Sequence, residues 1–119
     1  VFAGKALLIN PSGELHDLSL KMVDHILEER GFNVFFSGQM SPMDMAEKIF
    51  EKYQPDRLYI SSTFHENIAK TQKEIDILLK MAEPHQIKVF VGGRGFDELT
   101  IPSSPDITRL YTFQEVYNN

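Results

Sequence analysis

Three short stretches of the 119-residue chain carry side chains whose type and spacing could do chemistry. The first is Pro11-Ser12-Gly13-Glu14-Leu15-His16-Asp17-Leu18-Ser19. Standing two residues apart in a loop, Glu14 can reach one nitrogen of His16, fix its tautomer and raise its basicity, leaving the other nitrogen for a metal ion. The same residues also read as an exposed Glu and His in a polar loop, with Asp17 capping the helix that follows. The spacing admits both readings. The second stretch, Ser61-Ser62-Thr63, offers small hydroxyl residues that can bond a ligand's polar edge and still let it come close; Thr63 equally reads as a helix cap. The third, Gly92-Gly93-Arg94-Gly95, permits close backbone approach but has neither the GxGxxG spacing nor the lysine of a P-loop, and it also reads as a plain strand-to-loop turn.

Other chemistries have less to stand on. The chain has no cysteine, which removes disulfides, thiolate zinc sites, iron–sulfur clusters and cysteine nucleophiles, and fits a reducing, cytoplasmic setting. No GxSxG elbow supports a serine nucleophile, and no HExxH or paired His/carboxylate spacing supports a zinc enzyme. His25 reads as a helix-face residue and His85 as a loop residue, while His65 sits near the edge that would carry a ligand. Asp24, Glu28 and Glu29 read as a solvated helix face, and Met40, Met43 and Met45 as gap-filling core. A net charge of −5 argues against direct nucleic-acid binding, because a phosphate-binding face is basic. No apolar run reaches the roughly 20 residues needed to cross a bilayer.

These stretches need elements to position them, and the pattern supplies a repeated strand–helix unit. Ala6-Leu7-Leu8-Ile9, Val34-Phe35-Phe36, Leu58-Tyr59-Ile60 and Val89-Phe90-Val91 are short continuous apolar runs, as in strands buried on both faces. Ile107–Tyr111 reads as a short edge strand and Thr112–Tyr117 as a terminal helical turn or two. Between the strands, Leu18, Met22, Val23, Ile26 and Leu27 recur at helical spacing, with Gly31 as the stop. Ser41-Pro42-Met43-Asp44 starts a second helix, with Met45, Ile49, Phe50 and Tyr53 facing inward. Thr63-Phe64-His65-Glu66 reads as a capping box opening a third, its inner face formed by Ile68, Ile75, Leu78, Leu79 and Ala82. Right-handed crossovers then predict an α/β, doubly wound, flavodoxin-like parallel sheet of five strands in the order 2-1-3-4-5. All three stretches fall at the carboxyl ends of strands beside its switch point, where open parallel sheets bind ligands.

Taken together, the stretches resemble the cobalamin-binding domain family. That family pairs an acid-x-His-x-x-small motif after its first strand with Ser-x-Leu or Ser-x-Thr after the third and Gly-Gly after the fourth. Here the matching residues are Glu14-Leu15-His16-Asp17-Leu18-Ser19, Ser61-Ser62-Thr63 and Val91-Gly92-Gly93, in the same order over about residues 4–98. The resemblance implies that cobalamin (adenosylcobalamin or methylcobalamin) binds base-off, its nucleotide tail inserted between the sheet and the first helix. His16 would then be the lower cobalt ligand, oriented by Glu14. Ser61 and Thr63 would contact the tail, and Gly92 and Gly93 would make space for it. Glu14 stands where the methyltransferase and mutase branches usually have Asp, and Ser19 where they usually have Gly; a serine there could hinder the tail or hydrogen-bond it. The Glu form, with Arg94-Gly95-Phe96 after the glycine pair, is more similar to the light-responsive cobalamin-sensing regulators with a MerR-type DNA-binding domain.

By that likeness, residues 1–119 are one sensor domain of a longer protein, non-enzymatic, with any DNA contact made by a separate N-terminal domain and with homo-oligomerisation left open. A corrinoid carrier of a methyltransferase system is the enzyme-linked alternative. A haem-binding sensor of related fold, using His65 as a second axial ligand, is another.

Overall fold

The buried run Ala6–Ile9 sits in the central strand of a five-stranded sheet. The computed structural model of the chain describes residues 2–10, 18–39, 43–63 and 67–119. In chain order the elements are β1 (Gly4–Asn10), α1 (Leu18–Glu29), β2 (Phe32–Gln39), α2 (Met43–Tyr53), β3 (Arg57–Ser61), α3 (Ile68–Ala82), β4 (Lys88–Gly92), β5 (Ile107–Leu110) and α4 (Phe113–Asn118). Short 3-10 turns occupy Glu83–His85 and Arg94–Asp97. All strand pairs are parallel and the order is β2-β1-β3-β4-β5. The predicted doubly wound sheet is therefore the observed one.

Strand alternation separates two cores. Leu7, Ile9, Leu58, Ile60, Val89 and Val91 pack with Phe50 of α2 and with Ile75, Leu78 and Leu79 of α3. Ala6, Leu8, Tyr59, Phe90 and Leu110 pack on the other face with Leu20, Val23, Ile26 and Leu27 of α1 and Val116 of α4. Every strand of the interior is covered on both sides, which explains why its sequence is apolar throughout rather than alternating.

Several local expectations change. The stripe of α1 is Leu20, Val23 and Leu27, at intervals of three and four, so Met22 falls off it and is 42% exposed. Helix α3 starts at Ile68, capped by Asn67, whose Oδ1 accepts the Lys70 backbone N–H at 3.0 Å. Thr63 is exposed and is not the cap: asparagine satisfies the free amides of a helix start as well as threonine does. The inward stripe of α3 begins at Thr71, and Ile68 is left 44% exposed. The starts built on Asp17 and on Ser41-Pro42, and the side chain of Met45, lie outside the described residues, as do Phe64–Glu66.

Helix α4 is short but well fixed. Its Thr112 Oγ1 accepts the Glu115 N–H at 3.2 Å, and Glu115 Oε1 accepts the Thr112 N–H at 3.0 Å, a reciprocal capping box. At the other end, Arg30 donates to the Val116 carbonyl at 2.6 Å and Arg57 to the Asn119 carbonyl at 2.7 Å. The Arg57 guanidinium is itself held between the rings of Phe32 (4.9 Å) and Phe90 (5.1 Å). The Tyr117 hydroxyl donates to Glu29, and that bond is the first cause of a tyrosine pKa raised above its ordinary value. A helix this short draws its order from such anchors, not from propensity.

Candidate functional site

The carboxyl ends of β3 and β4 are locked together through their backbones. Ser61 pairs with Gly92 in the ladder, the Ser62 N–H donates to the Gly92 carbonyl at 3.1 Å, and the Gly95 N–H donates to the Ser62 carbonyl at 2.8 Å. Gly93 makes this crossing with φ of 100° and ψ of 155°, a conformation open to glycine. A Cβ on Gly93 would stand 2.3 Å from the Ser62 carbonyl oxygen, and one on Gly92 would stand 3.3 Å from the Leu110 carbonyl oxygen. The glycine pair was expected to leave room for a ligand. Its nearer cause is the close approach of the chain's own backbone.

Beside this lock, between α1 and the sheet, lies a cavity of about 210 Å³. Leu20 and Val23 of α1 form one wall, the ends of β3 and β4 (Ser61, Gly92, Gly93) another, and Leu110 to Phe113 with Val116 the third. Its floor includes Tyr59 and Phe90, whose rings stack at 4.9 Å with planes 14° apart. Apart from Ser61 and Thr112, the lining side chains are apolar or aromatic. At the adjoining edge Arg109 pairs with Asp97 at 2.6 Å and lays its guanidinium 4.7 Å from the centre of the Tyr111 ring.

The predicted residues distribute unevenly over this site. Ser61, Gly92 and Gly93 line the cavity together. Ser62 is 1% exposed and adjoins it through the backbone lock, while exposed Thr63 does not line it. Ser19 lies in the first turn of α1, next to the lining residue Leu20. Glu14, Leu15, His16 and His65 lie outside the described residues. His25 pairs with Glu29 on the exposed face of α1 at 3.1 Å, and His85 packs edge-on against Phe50, matching their reading as surface and loop residues. Among the described residues no three His, Asp or Glu side chains cluster as metal ligands. None of the described helices is long and apolar enough to cross a membrane.

The strand and helix that carry Leu110 to Val116 were expected from the sequence, but their part in walling the cavity was not. The signal for where the helix starts was present: Thr112-x-x-Glu115 is a capping box, and it fixes where the cavity's third wall begins.

A larger cavity of about 490 Å³ lies against α3 near Val89 and Ile107, and its lining includes none of the predicted site residues. The smaller one is the better candidate, because it sits at the carboxyl ends of the strands and holds the serine–glycine constellation. Its size is informative. Pockets that enclose a whole drug-sized ligand run to roughly 300–1,000 Å³, so about 210 Å³ suits one bicyclic aromatic group and not a macrocycle.

Residues 4–101 match the profile of the B12 binding domain. The chain belongs to the B12-binding domain family. Its cofactor is a cobalamin or related corrinoid, and the cavity fits such a molecule's aromatic tail base in size and lining.

Solved structures agree with this B12-binding domain in fold. It superposes on the methanol:cobalamin methyltransferase complex of Methanosarcina barkeri with a TM-score of 0.77 at 15% identity, covering 99% of this chain and 45% of that one. The monomethylamine corrinoid protein of Methanosarcina barkeri gives 0.71 at 16% identity, covering 96% and 55%. A cobalamin-binding protein of Desulfitobacterium hafniense DCB-2 gives 0.69 at 20% identity, covering 96% and 56%. The B12-binding domain thus spans about half the length of these solved chains. No curated protein sequence matches it.

Proposed function

We propose that this domain binds cobalamin base-off, with His16 as the lower cobalt ligand and the nucleotide tail in the cavity between α1 and the sheet. The observation that carries this reading is the cavity itself: aromatic-floored, sized for one bicyclic base, and bordered by Ser61, Gly92 and Gly93. Ser61 is 7% exposed and is the polar group at the wall best placed to bond the tail, with Ser62 and Thr63 continuing the same loop. Glu14 fixes the His16 tautomer, Leu15 spaces the pair, and Ser19 meets the tail at the start of α1. Bound cobalamin supplies a reactive cobalt–carbon bond to its upper ligand; the protein's part is to hold the lower face.

The biological role is that of a ligand-sensing module in a MerR-type, light-responsive transcriptional regulator, with DNA bound by another domain. Glu14 in the acid position and Arg94-Gly95-Phe96 after the glycine pair support this. A second reading is favoured by the solved neighbours, named as a methyltransferase complex and a corrinoid protein: a carrier that presents the corrinoid to a methyltransferase. Illumination separates the two roles. A sensor loaded with adenosylcobalamin changes its assembly in light, as light scattering would show, whereas a carrier keeps its mass and accepts methyl groups from a partner enzyme.

Tail insertion is tested by calorimetric titration with methylcobalamin and with methylcobinamide, which has the corrin but lacks the nucleotide. Burying one aromatic base is worth about 2 kcal/mol or more, or roughly thirtyfold in affinity. Methylcobalamin should gain that factor from its tail, less the cost of releasing its base from cobalt, which methylcobinamide does not carry. A ratio of the two affinities that stays the same when a bulky residue fills the cavity would remove base insertion, and haem binding with no corrinoid binding would favour the haem sensor.

A further inference from the structure

Two aromatic side chains line the cavity without joining the core, Tyr111 and Phe113, and the Tyr111 ring is taken up by the Arg109 guanidinium. Phe113 opens α4 and lines the cavity, yet it is 44% exposed. It stands three residues before Val116, so the two share one face of the helix. Val116 is 3% exposed and belongs to the core, whereas Phe113 lies toward the mouth of the cavity. The half-open space beside Phe113 is of the size of an aromatic base, and a ring packed there would meet the Phe113 ring.

The anchors of α4 give this position a purpose. The capping box fixes the turn that starts at Thr112, and Arg30 and Arg57 hold the far carbonyls of the helix. Phe113 is consequently presented from a pre-ordered element, so little further ordering is needed when something packs on it. From this placement we infer that Phe113 is a specificity-determining residue that packs on the inserted base, making the domain selective for corrinoids with an aromatic tail. The inference rests on the tail-insertion reading above.

Phe113→Ala and Phe113→Leu are compared with the parent chain by calorimetry, using methylcobalamin and methylcobinamide as separate probes. Because Phe113 is half exposed, the thermal midpoint of the alanine variant should stay near that of the parent. Methylcobalamin affinity should fall about tenfold in Phe113→Ala, as expected for losing one aromatic contact and its buried area. It should fall less in Phe113→Leu, with methylcobinamide affinity unchanged in both. If Phe113→Ala keeps the parent's ratio of methylcobalamin to methylcobinamide affinity while Val23→Phe changes it, the role of Phe113 is overturned while tail insertion stands. An equal loss for both corrinoids overturns it too, since the residue would then act on the corrin or the fold. A ratio of the two affinities that also stays the same when Val23→Phe fills the cavity removes tail insertion itself, and this inference with it.

Discussion

Gly93→Ala should lower the free energy of unfolding by about 2–6 kcal/mol, the sum of roughly 1–3 for a residue forced into a glycine-only conformation and roughly 1–3 for overpacking. Two independent observations support the size. The backbone at Gly93 has φ of 100°, and an added Cβ would lie 2.3 Å from the Ser62 carbonyl oxygen. That oxygen also accepts the Gly95 N–H at 2.8 Å, so it cannot move aside without breaking the bond that starts the Arg94–Asp97 turn. Small domains have only about 5–15 kcal/mol of net stability, so the loss would be visible at once in urea unfolding. Gly92→Ala should cost less, because its φ is not positive and its Cβ would meet the Leu110 carbonyl oxygen at 3.3 Å, a tight contact that a shift of a few tenths of an ångström relieves. A Gly93→Ala protein with parental stability would show that the β3–β4 lock is not needed for the fold.

The contrast between the two glycines shows where sequence reading succeeds and where it stops. The sheet order was legible because each strand is a continuous apolar run, and such runs require cover on both faces. The position of the site followed, since the serines and glycines had to lie at the carboxyl ends of β3 and β4. What the pair of glycines does for the backbone was not legible, because Ser62 is thirty-one positions away in the chain and only the folded sheet brings it beside Gly93. The start of α3 was missed for a different reason. Thr63 and Asn67 are both good caps by type, so residue preference alone does not choose between them. The last strand and helix were legible, but that they wall the cavity was not, because a pattern of types does not show which face of the sheet six helical residues cover. Their order comes from Arg30 and Arg57, distant in sequence.

Val23→Phe is expected to separate folding from cofactor binding. Val23 is 9% exposed on the inward stripe of α1 and lines the cavity, so a larger ring there grows into open space. Overpacking a filled core costs about 1–3 kcal/mol, but here unfilled volume is available and the thermal midpoint should hold or rise. The tail base would lose its place. Methylcobalamin affinity should fall by about a hundredfold or more, equivalent to some 2.7 kcal/mol, with methylcobinamide binding unchanged. Retained methylcobalamin affinity in a stable Val23→Phe protein would move the tail out of this cavity.

The claim at the centre is that a protein histidine, His16, replaces the cofactor's own base beneath the cobalt. Electron paramagnetic resonance of the reduced, paramagnetic cobalt state reads this directly, because the lower nitrogen splits each cobalt line according to its nuclear spin. The protein is labelled uniformly with the heavy nitrogen isotope and loaded with unlabelled cobalamin. The splitting should then change from a triplet to a doublet, and it should vanish or revert to the cofactor's own triplet in His16→Ala. A triplet that persists in the labelled parent protein would mean that the cofactor keeps its own base on cobalt, and would contradict the account.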